Sequence, residues 1–168
     1  DKKGVDLLLL VEWKKLLTES VYNFSQYGSF NIHDSLLPEY RGSSPMNWAI
    51  INGNSYTGAT FYQINKSVDS GPIYAQEKLE IGKTDYVQEV LRKMLGAYKR
   101  VAVQGIRAVL DNKTSQAQDE SKASYCAKRT PEDGLIDFHA DVQVVYNMVR
   151  ALTDPFPGAF TFYKGVKV

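Results

Sequence analysis

The chain has 168 residues, 43% of them hydrophobic, and its 20 Lys and Arg against 19 Asp and Glu leave a formal charge of +1. This length and composition fit one domain with a substantial core, and the charge excludes a general attraction to nucleic acid or membrane surfaces. The single cysteine, Cys126, excludes a disulfide within the chain and suits a reducing cytoplasm. The longest apolar run, residues 7–11, is too short for a membrane span and lacks the form of a secretory signal.

The beginning of the chain is predicted to contain two strands joined by a crossover. Residues 4–11 are almost continuously apolar, which is typical of a strand in a parallel sheet that is covered on both faces. Residues 13–24 are predicted to be a helical or loop crossover, and residues 28–33 form the next strand, which ends in the polar residues Asn31 and His33. This order predicts an α/β sheet, in which ligands bind at the carboxyl ends of the strands.

A helix and two more strands are predicted next. A serine followed by a proline at residues 44–45 is typical of a helix start and predicts a helix over residues 45–52. Residues 58–64 and 72–81 alternate apolar with polar side chains, as half-buried strands do. The two strands flank a turn that contains Asp69.

A long amphipathic helix is predicted after these strands. Apolar side chains recur at spacings of three and four over residues 84–110, which predicts a helix capped by Thr84 with its apolar stripe in the core. Residues 112–124 are polar and are predicted to connect two structural units. We therefore expect a boundary near residue 124.

That boundary divides the chain into residues 1–124 and a smaller unit of residues 125–168. In the second unit, residues 130–133 have the form of a helix start, and an apolar stripe over residues 142–152 predicts another helix. A string rich in proline and glycine ends that helix at residues 154–158. The second unit is thus predicted to contain a helix start followed by a helical apolar stripe.

The polar residues at the end of the second strand are the most informative feature of the chain. Side chains two apart on a strand project from one face, so Asn31 and His33 share a surface while Phe30 and Ile32 face the core. An amide can hydrogen-bond a developing oxyanion, and an imidazole can move protons. A nearby Asp69 carboxylate would favour the imidazolium form of His33. The set is suited to acyl or formyl transfer to an acceptor that brings its own nucleophile, such as a primary amine.

Each of these residues also has a simpler interpretation. His33 alone fits a strand-end histidine with satisfied hydrogen bonds, Asn31 a turn or cap residue, and Asp69 an Asx turn. Arg41 fits either a surface partner of Glu39 or a residue that holds an anionic ligand near the helix start. These alternatives stay open at the level of the residues alone.

Other chemistries find less support in the sequence. No metal site is predicted, because the only two histidines, His33 and His139, lie in separate segments without ligand spacing. A serine hydrolase would need a Gly-x-Ser-x-Gly elbow, and Cys126 has no neighbouring base and is expected to be a buried small hydrophobe. Neither a Walker loop nor a Gly-x-Gly-x-x-Gly motif occurs. A small-molecule binding module without catalysis is the remaining alternative.

Residues 31–73, NIHDSLLPEYRGSSPMNWAIINGNSYTGATFYQINKSVDSGPI, resemble the formyltransferases that use 10-formyltetrahydrofolate. The family pattern Asn-x-His-x-Ser-Leu-Leu-Pro-x-Tyr-Arg-Gly, followed downstream by Asp-x-Gly, is kept in full. The resemblance implies an α/β fold with a Rossmann-like formyltransferase domain and the start of a small C-terminal subdomain. It also implies that Asn31 stabilises the tetrahedral intermediate, that His33 handles the proton and that Asp69 makes His33 a better base.

The resemblance further implies a pocket for the formyl donor, 10-formyltetrahydrofolate, and no metal. Its residues would come from the loop after the first strand, from the turn after Arg41 and from the segment before the aspartate: Lys15, Leu16, Leu17, Ser43, Asn65, Lys66, Ser67 and Val68. Two residues depart from the family pattern. Asp34 replaces the usual glycine or proline beside His33, and Ser43 stands where family members that act on UDP-4-amino-4-deoxy-L-arabinose have a folate-contacting arginine.

Within the family, the resemblance is greatest to formyltransferases of nucleotide-linked amino sugars such as UDP-4-amino-4-deoxy-L-arabinose. It is carried by RTPEDGLIDFH at residues 129–139 and NMVRALTDPFPGAF at residues 147–160. This implies a sugar amine as acceptor, a place in lipopolysaccharide biosynthesis and a cytoplasmic location. The alternatives are a methionyl-tRNA formyltransferase and a folate-binding, hydrolytic or inactive relative, and a homo-oligomer is allowed. Because the resemblance starts midway through the Rossmann-like domain and stops early in the C-terminal subdomain, we expect the chain to be a fragment.

Overall fold

A computed structural model describes residues 4–13 and 15–168. Lys14, which falls within the predicted crossover of residues 13–24, lies outside the described residues. Within the described part the chain forms eight strands: β1 (Leu8–Val11), β2 (Ser29–His33), β3 (Arg41–Gly42), β4 (Tyr56–Gln63), β5 (Ile73–Glu80), β6 (Tyr125–Cys126), β7 (Phe162–Tyr163) and β8 (Val166–Lys167). It also forms four α-helices: α1 (Glu19–Tyr22), α2 (Pro45–Ile51), α3 (Val87–Leu110) and α4 (Val142–Ala151). Two 3-10 turns cover Glu120–Lys122 and Pro131–Gly134.

The main sheet has the strand order β1-β2-β4-β5. β1 and β2 are parallel, with Val11 opposite Ile32, whereas β4 runs antiparallel to both β2 and β5. Within the main sheet, the predicted parallel pairing is therefore correct for β1 and β2 only. Two small sheets pair β3 with β6 and β7 with β8.

The hydrophobic core lies between this sheet and α3, which packs on β4 and β5. Phe30 and Ile32 are 0% and 4% exposed, so the predicted inward face of β2 is confirmed. Phe30 stacks on Phe61 with ring centroids 5.0 Å apart. Gly105 of α3 lies so close to that pair that an added Cβ would meet the Phe61 Cδ1 atom at 2.2 Å. The core thus fixes the strand that carries Asn31 and His33.

The ends of several elements differ from their predicted positions. β1 begins at Leu8 rather than at residue 4. α2 begins at Pro45 as predicted and ends at Ile51, but Ser44 has a left-handed φ of 57° and its side chain makes no capping bond. The prediction that Thr84 caps α3 is wrong: Tyr86 precedes the helix, and its N–H donates to the Glu89 carboxylate at 3.0 Å.

Helix α4 packs against α2, and its buried face combines the polar residues Asn147 and Arg150 with Ala151. Arg150 is 3% exposed and donates to the carbonyls of Gly82 and Asp85 and to the Asn147 side chain. Val142, at the start of the predicted apolar stripe, is 81% exposed, whereas Leu152 at its end is buried. The apolar period therefore located the helix correctly, and Met148 and Leu152 of the stripe do pack in the core, but it gave no sign of the buried Arg150. No helix among the described residues is both long and apolar enough to cross a membrane.

Candidate active site

Three predicted residues meet at the carboxyl end of β2. Asn31 and His33 lie on that strand, and Asp69 lies in the loop between β4 and β5. The Nδ1 atom of His33 is 3.7 Å from the Oδ2 atom of Asp69, and both side chains are largely buried. The fold thus brings together an amide, an imidazole and a carboxylate from positions far apart in the chain.

Tyr62 joins Asn31 to Asp69. It stands directly opposite Asn31 in the β2–β4 pairing, so the two side chains share a face. Its hydroxyl donates to Asp69 Oδ1 at 2.5 Å and accepts from Asn31 Nδ2 at 3.2 Å. Burial and the Asp69 charge raise the pKa of Tyr62 well above its ordinary value, so the hydroxyl keeps its proton. The sequence alone does not indicate this role of Tyr62, because its partner is set by the register between the two strands.

The orientation of the His33 ring is set by a backbone carbonyl. Its Nε2 atom lies 2.7 Å from the carbonyl oxygen of Tyr40, which can only accept, so Nε2 carries the proton of the neutral ring. The unprotonated nitrogen is then Nδ1, which faces Asp69. The side-chain amides of Asn52 and Asn54 both donate to the Tyr40 hydroxyl and hold that residue in place. His33 is therefore anchored at one nitrogen, and its basic nitrogen faces a carboxylate.

Asp69 is held by groups outside its own turn. The backbone N–H of Gly42 donates to its Oδ2 atom at 2.8 Å, so the side chain is not engaged in the Asx turn considered above. An Asx turn forms earlier in the same loop, at Asn65, whose Oδ1 accepts from the Ser67 N–H at 3.0 Å. At Gly71 an added Cβ would lie 1.7 Å from a main-chain oxygen of β4. The loop therefore packs against the sheet edge without room for a side chain there.

Arg41 is fully buried, and both interpretations made from the sequence are wrong. Its guanidinium pairs with Glu120 through two hydrogen bonds of 2.9 and 2.7 Å. Its remaining N–H groups donate to Gln118 Oε1 at 3.1 and 2.8 Å and to the Tyr125 hydroxyl at 2.9 Å. The hydrogen bond to Glu120 raises the pKa of Arg41 further. Glu39 does not supply its partner, because the fold brings a carboxylate from residue 120 against the guanidinium.

Gln118 ties the predicted connecting segment to the site. Its Nε2 atom donates to the carbonyl oxygens of Asp69 and Gly71 at 2.9 and 2.7 Å. The backbone of Gln116 pairs with Ile73 at the start of β5. The sequence alone does not indicate this role of Gln118, because a glutamine in a polar stretch carries no local sign of a long-range contact.

The segments predicted to bind folate lie around this edge. Because β1 and β2 are parallel, the loop containing Lys15, Leu16 and Leu17 leaves the sheet on the same side as His33. Leu16 is 83% exposed. Residues 65–68, which comprise Asn65, Lys66, Ser67 and Val68, are exposed and lead directly into the Asp69 turn, and the half-buried Ser43 follows β3. Their contacts with a ligand stay predictions.

Asp34, the residue after His33, belongs to a second acidic group. The Tyr98 hydroxyl on α3 donates to the Asp34 carboxylate and lies 2.9 Å from Glu12 Oε1. Burial, and then the Glu12 charge, raise the pKa of Asp34 to about 7. The departure from glycine or proline at this position therefore ties the end of β2 to α3 through a carboxyl group that titrates near neutrality.

Two other residues considered in the sequence lie apart from the trio's hydrogen bonds. Cys126 is half-buried on β6, and burial raises the pKa of its thiol to about 12. The thiol therefore stays neutral at physiological pH. His139 is exposed, and its backbone N–H donates to Asp137 Oδ1 at 2.9 Å. In residues 4–13 and 15–168, no three His, Cys, Asp or Glu side chains are grouped as metal ligands.

Comparison with known families agrees with this architecture. Residues 1–106 match the family described as "Formyl transferase", and residues 128–168 match "Formyl transferase, C-terminal domain". The chain therefore belongs to the formyl transferase family. The predicted fold class, a Rossmann-like formyltransferase domain followed by the start of a C-terminal subdomain, is confirmed.

Individual relatives are similar over nearly the whole chain. The bifunctional polymyxin resistance protein ArnA of Wigglesworthia glossinidia brevipalpis is 37% identical over 164 residues, which are 97% of this chain and 25% of that protein. The chain thus spans about a quarter of the length of this curated relative. A Mycobacterium tuberculosis structure, for which sugar N-formyltransferase activity is suggested, superposes with a TM-score of 0.86 at 24% identity, covering 99% of this chain and 73% of that one. The structure of HypX from Aquifex aeolicus in complex with tetrahydrofolic acid superposes with a TM-score of 0.83 at 19% identity. That match covers 96% of this chain and 28% of HypX.

Proposed function

We propose that the protein transfers a formyl group from 10-formyltetrahydrofolate to a primary amine, most specifically the amino group of a nucleotide-linked sugar. The observation that carries this proposal is the convergence of Asn31, His33 and Asp69 at one edge of the sheet, linked through Tyr62. Membership of the formyl transferase family supports the same reaction.

Asn31 is suited to bind the formyl oxygen. One hydrogen of its Nδ2 group goes to Tyr62, which leaves the second free to donate, and its buried Oδ1 has no partner among the described residues. A buried polar atom without a hydrogen-bond partner destabilises the fold, so a donor group of a ligand that reached Asn31 Oδ1 would gain a favourable hydrogen bond there. When the donor is bound, it supplies an activated formyl carbon. The free N–H of Asn31 then stabilises the negative charge that develops on the formyl oxygen.

His33 is suited to move the proton. As the amine nitrogen bonds to the formyl carbon, it loses a proton to His33 Nδ1, and Asp69 3.7 Å away stabilises the resulting imidazolium. His33 would then return this proton to the folate nitrogen as that nitrogen leaves the formyl carbon, which restores the neutral ring. The Tyr40 carbonyl keeps Nε2 engaged throughout and so prevents the ring from turning. No covalent enzyme intermediate is required.

The folate would lie among three segments at this edge of the sheet. We assign its contacts to residues 15–17, to Ser43 and to residues 65–68, as the family resemblance implies. The exposed side chains of Leu16 and Val68 give this surface apolar area that a flat ring system can cover. Much of the hydrogen bonding would then come from backbone groups of the loops.

A sugar nucleotide is favoured as the acceptor by the relatives. The match to ArnA and the likeness to a structure with suggested sugar N-formyltransferase activity both point to it. The formal charge of +1 offers no general attraction to a polyanion such as tRNA. A cytoplasmic location and a role in lipopolysaccharide biosynthesis belong to this proposal.

The test is an acceptor assay with the intact protein. We expect 10-formyltetrahydrofolate and a UDP- or dTDP-linked amino sugar to give a product that is heavier by one formyl group in mass spectrometry. Formylation of charged initiator tRNA alone would overturn the choice of acceptor. Folate or nucleotide binding without transfer to any amine would overturn the reaction itself.

The His33→Ala variant provides the mechanistic test. Loss of the proton acceptor is expected to lower kcat by roughly 10² to 10⁴. His139→Ala, which changes the other histidine of the chain at an exposed turn, is the matched control and should keep full activity. Near-normal turnover of His33→Ala would contradict the assignment.

A further inference from the structure

We propose that Gln118 is a positioning residue for Asp69, acting with Arg41 to hold the carboxylate in place beside His33. The expected effect on rate rests on the proposed function. The positions of these residues are set by hydrogen bonds that Gln118 makes with Arg41 and with the backbone of the Asp69 turn.

Asp69 is a residue that needs external support. Its φ of 48° lies in the left-handed region, which residues with a Cβ rarely adopt. The residues before it, 65–68, are exposed and offer little packing. Its Oδ2 atom is 3.7 Å from His33 Nδ1, a distance at which a small shift of the loop changes the interaction considerably. The position of the Asp69 backbone therefore controls how strongly the carboxylate acts on the imidazole.

The Gln118 amide supplies that support with every polar group it has. Both Nε2 hydrogens are used by carbonyls on either side of Ser70, at 2.9 Å to Asp69 and 2.7 Å to Gly71. Its Oε1 atom accepts two bonds from Arg41. Because a guanidinium can only donate and a carbonyl can only accept, the amide can have no other orientation. Gln118 thus holds the Asp69 turn from its backbone side.

Arg41 connects this contact to the opposite side of the carboxylate. It is fully buried, and all five of its N–H groups donate to Gln118, Glu120 and Tyr125. The next residue, Gly42, donates its backbone N–H to Asp69 Oδ2 at 2.8 Å. Gln118 and Arg41 therefore fix both the backbone of Asp69 and the amide that orients its carboxylate.

Substitutions of Gln118 separate this role from simple packing. Gln118→Glu keeps the size of the side chain and its pairing with Arg41 but removes both hydrogens given to the Asp69 turn. We expect kcat to fall by about tenfold to a hundredfold with little change in KM, as a catalytic group displaced by a fraction of an ångström would cause. Gln116→Leu, two residues earlier at an exposed side chain, is the control and should leave both constants unchanged.

Two readouts test whether Gln118 acts through Asp69. In an Asp69→Asn background, adding Gln118→Glu is expected to cause little further loss of kcat, since the two changes remove one shared function. Independently of activity, hydrogen exchange of the Gly42 amide should become faster in Gln118→Glu and stay unchanged in Gln116→Leu. If Gln118→Glu does not fold, Gln118→Asn, which withdraws the same amide by one methylene, takes its place.

The outcomes decide the proposal clearly. Wild-type kcat together with unchanged Gly42 exchange in the Gln118 variant would overturn it, and so would losses that simply multiply in the Asp69→Asn background. If the wild-type protein transfers no formyl group at all, the proposed function fails. The exchange of the Gly42 amide would still decide whether Gln118 positions Asp69.

Discussion

Tyr62→Phe would remove one oxygen atom from the centre of the candidate site. The hydroxyl donates to the Asp69 carboxylate at 2.5 Å and accepts from the Asn31 amide at 3.2 Å, while the ring itself is buried against the core. A hydrogen bond to a charged group contributes about 1.5–3 kcal/mol, and the Asn31 donor loses an acceptor worth about 1 kcal/mol. We therefore expect the free energy of unfolding to fall by about 3 kcal/mol.

The same change should reduce activity moderately. Tyr62 orients Asn31 and Asp69 without touching reacting atoms in the proposed mechanism, so kcat is expected to fall about tenfold, with KM nearly unchanged. Because the pKa of Tyr62 is raised well above its ordinary value, the phenol stays neutral and the loss should be independent of pH up to about 9. A loss that appears only at high pH would contradict this account.

Urea denaturation and steady-state kinetics of the intact protein provide the assay. Tyr56→Phe is the control, since Tyr56 lies on the same strand and its ring, 4.0 Å from Lys78 Nζ, is kept in the variant. A Tyr62→Phe protein within about 0.5 kcal/mol of wild type, with full kcat, would refute the bridging role of the hydroxyl.

Two further predictions concern stability. Gly105→Ala should destabilise the chain by about 1–3 kcal/mol, because the new Cβ would meet Phe61 at 2.2 Å. Gly96→Ala on the same helix should stabilise it by about 0.5–1 kcal/mol, because its Cβ would meet only the end of the flexible Arg100 side chain. Urea denaturation measures both changes. Burial and the Glu12 charge raise the pKa of Asp34 from 3.8 to about 7. Between these pH values the folded chain therefore binds a proton that the unfolded chain releases, and this proton stabilises the fold. The stabilisation is complete below pH 3.8 and is lost as the pH rises through about 7. Asp34→Asn should flatten that dependence, seen in urea midpoints at about pH 5 and about pH 8; an unchanged slope would contradict it.

Local patterns in the chain were enough to predict the strand that carries the site. The period of two places Phe30 and Ile32 in the core, and this leaves Asn31 and His33 on the other face, as the structure has them. Pro45 marked the start of α2 because proline is favoured at a first helical position. Such features depend on neighbours in the sequence, so the sequence reveals them.

Patterns failed where a distant partner or a competing turn decides the local structure. α4 was located by its apolar period, yet its buried face carries Arg150, whose hydrogen-bond acceptors lie on the turn before α3. The cap of α3 shifted from Thr84 to Tyr86 because a turn closed by Asp85 precedes the helix. At α4 tertiary contacts outweighed the local preference, whereas at α3 one local turn, closed by the Gly82 N–H donating to Asp85, displaced another.

The sequence by itself determined the chemical groups of this protein: an amide and an imidazole two residues apart on a buried strand, and a carboxylate in a glycine-containing turn. Only the tertiary structure decided how they work together. Tyr62 joins Asn31 to Asp69 through the register of β2 and β4, and Gln118 reaches the same turn from a segment whose composition indicated a mere connection. Hydrogen bonds between residues far apart in the chain depend on how the backbone folds, and no local pattern encodes them.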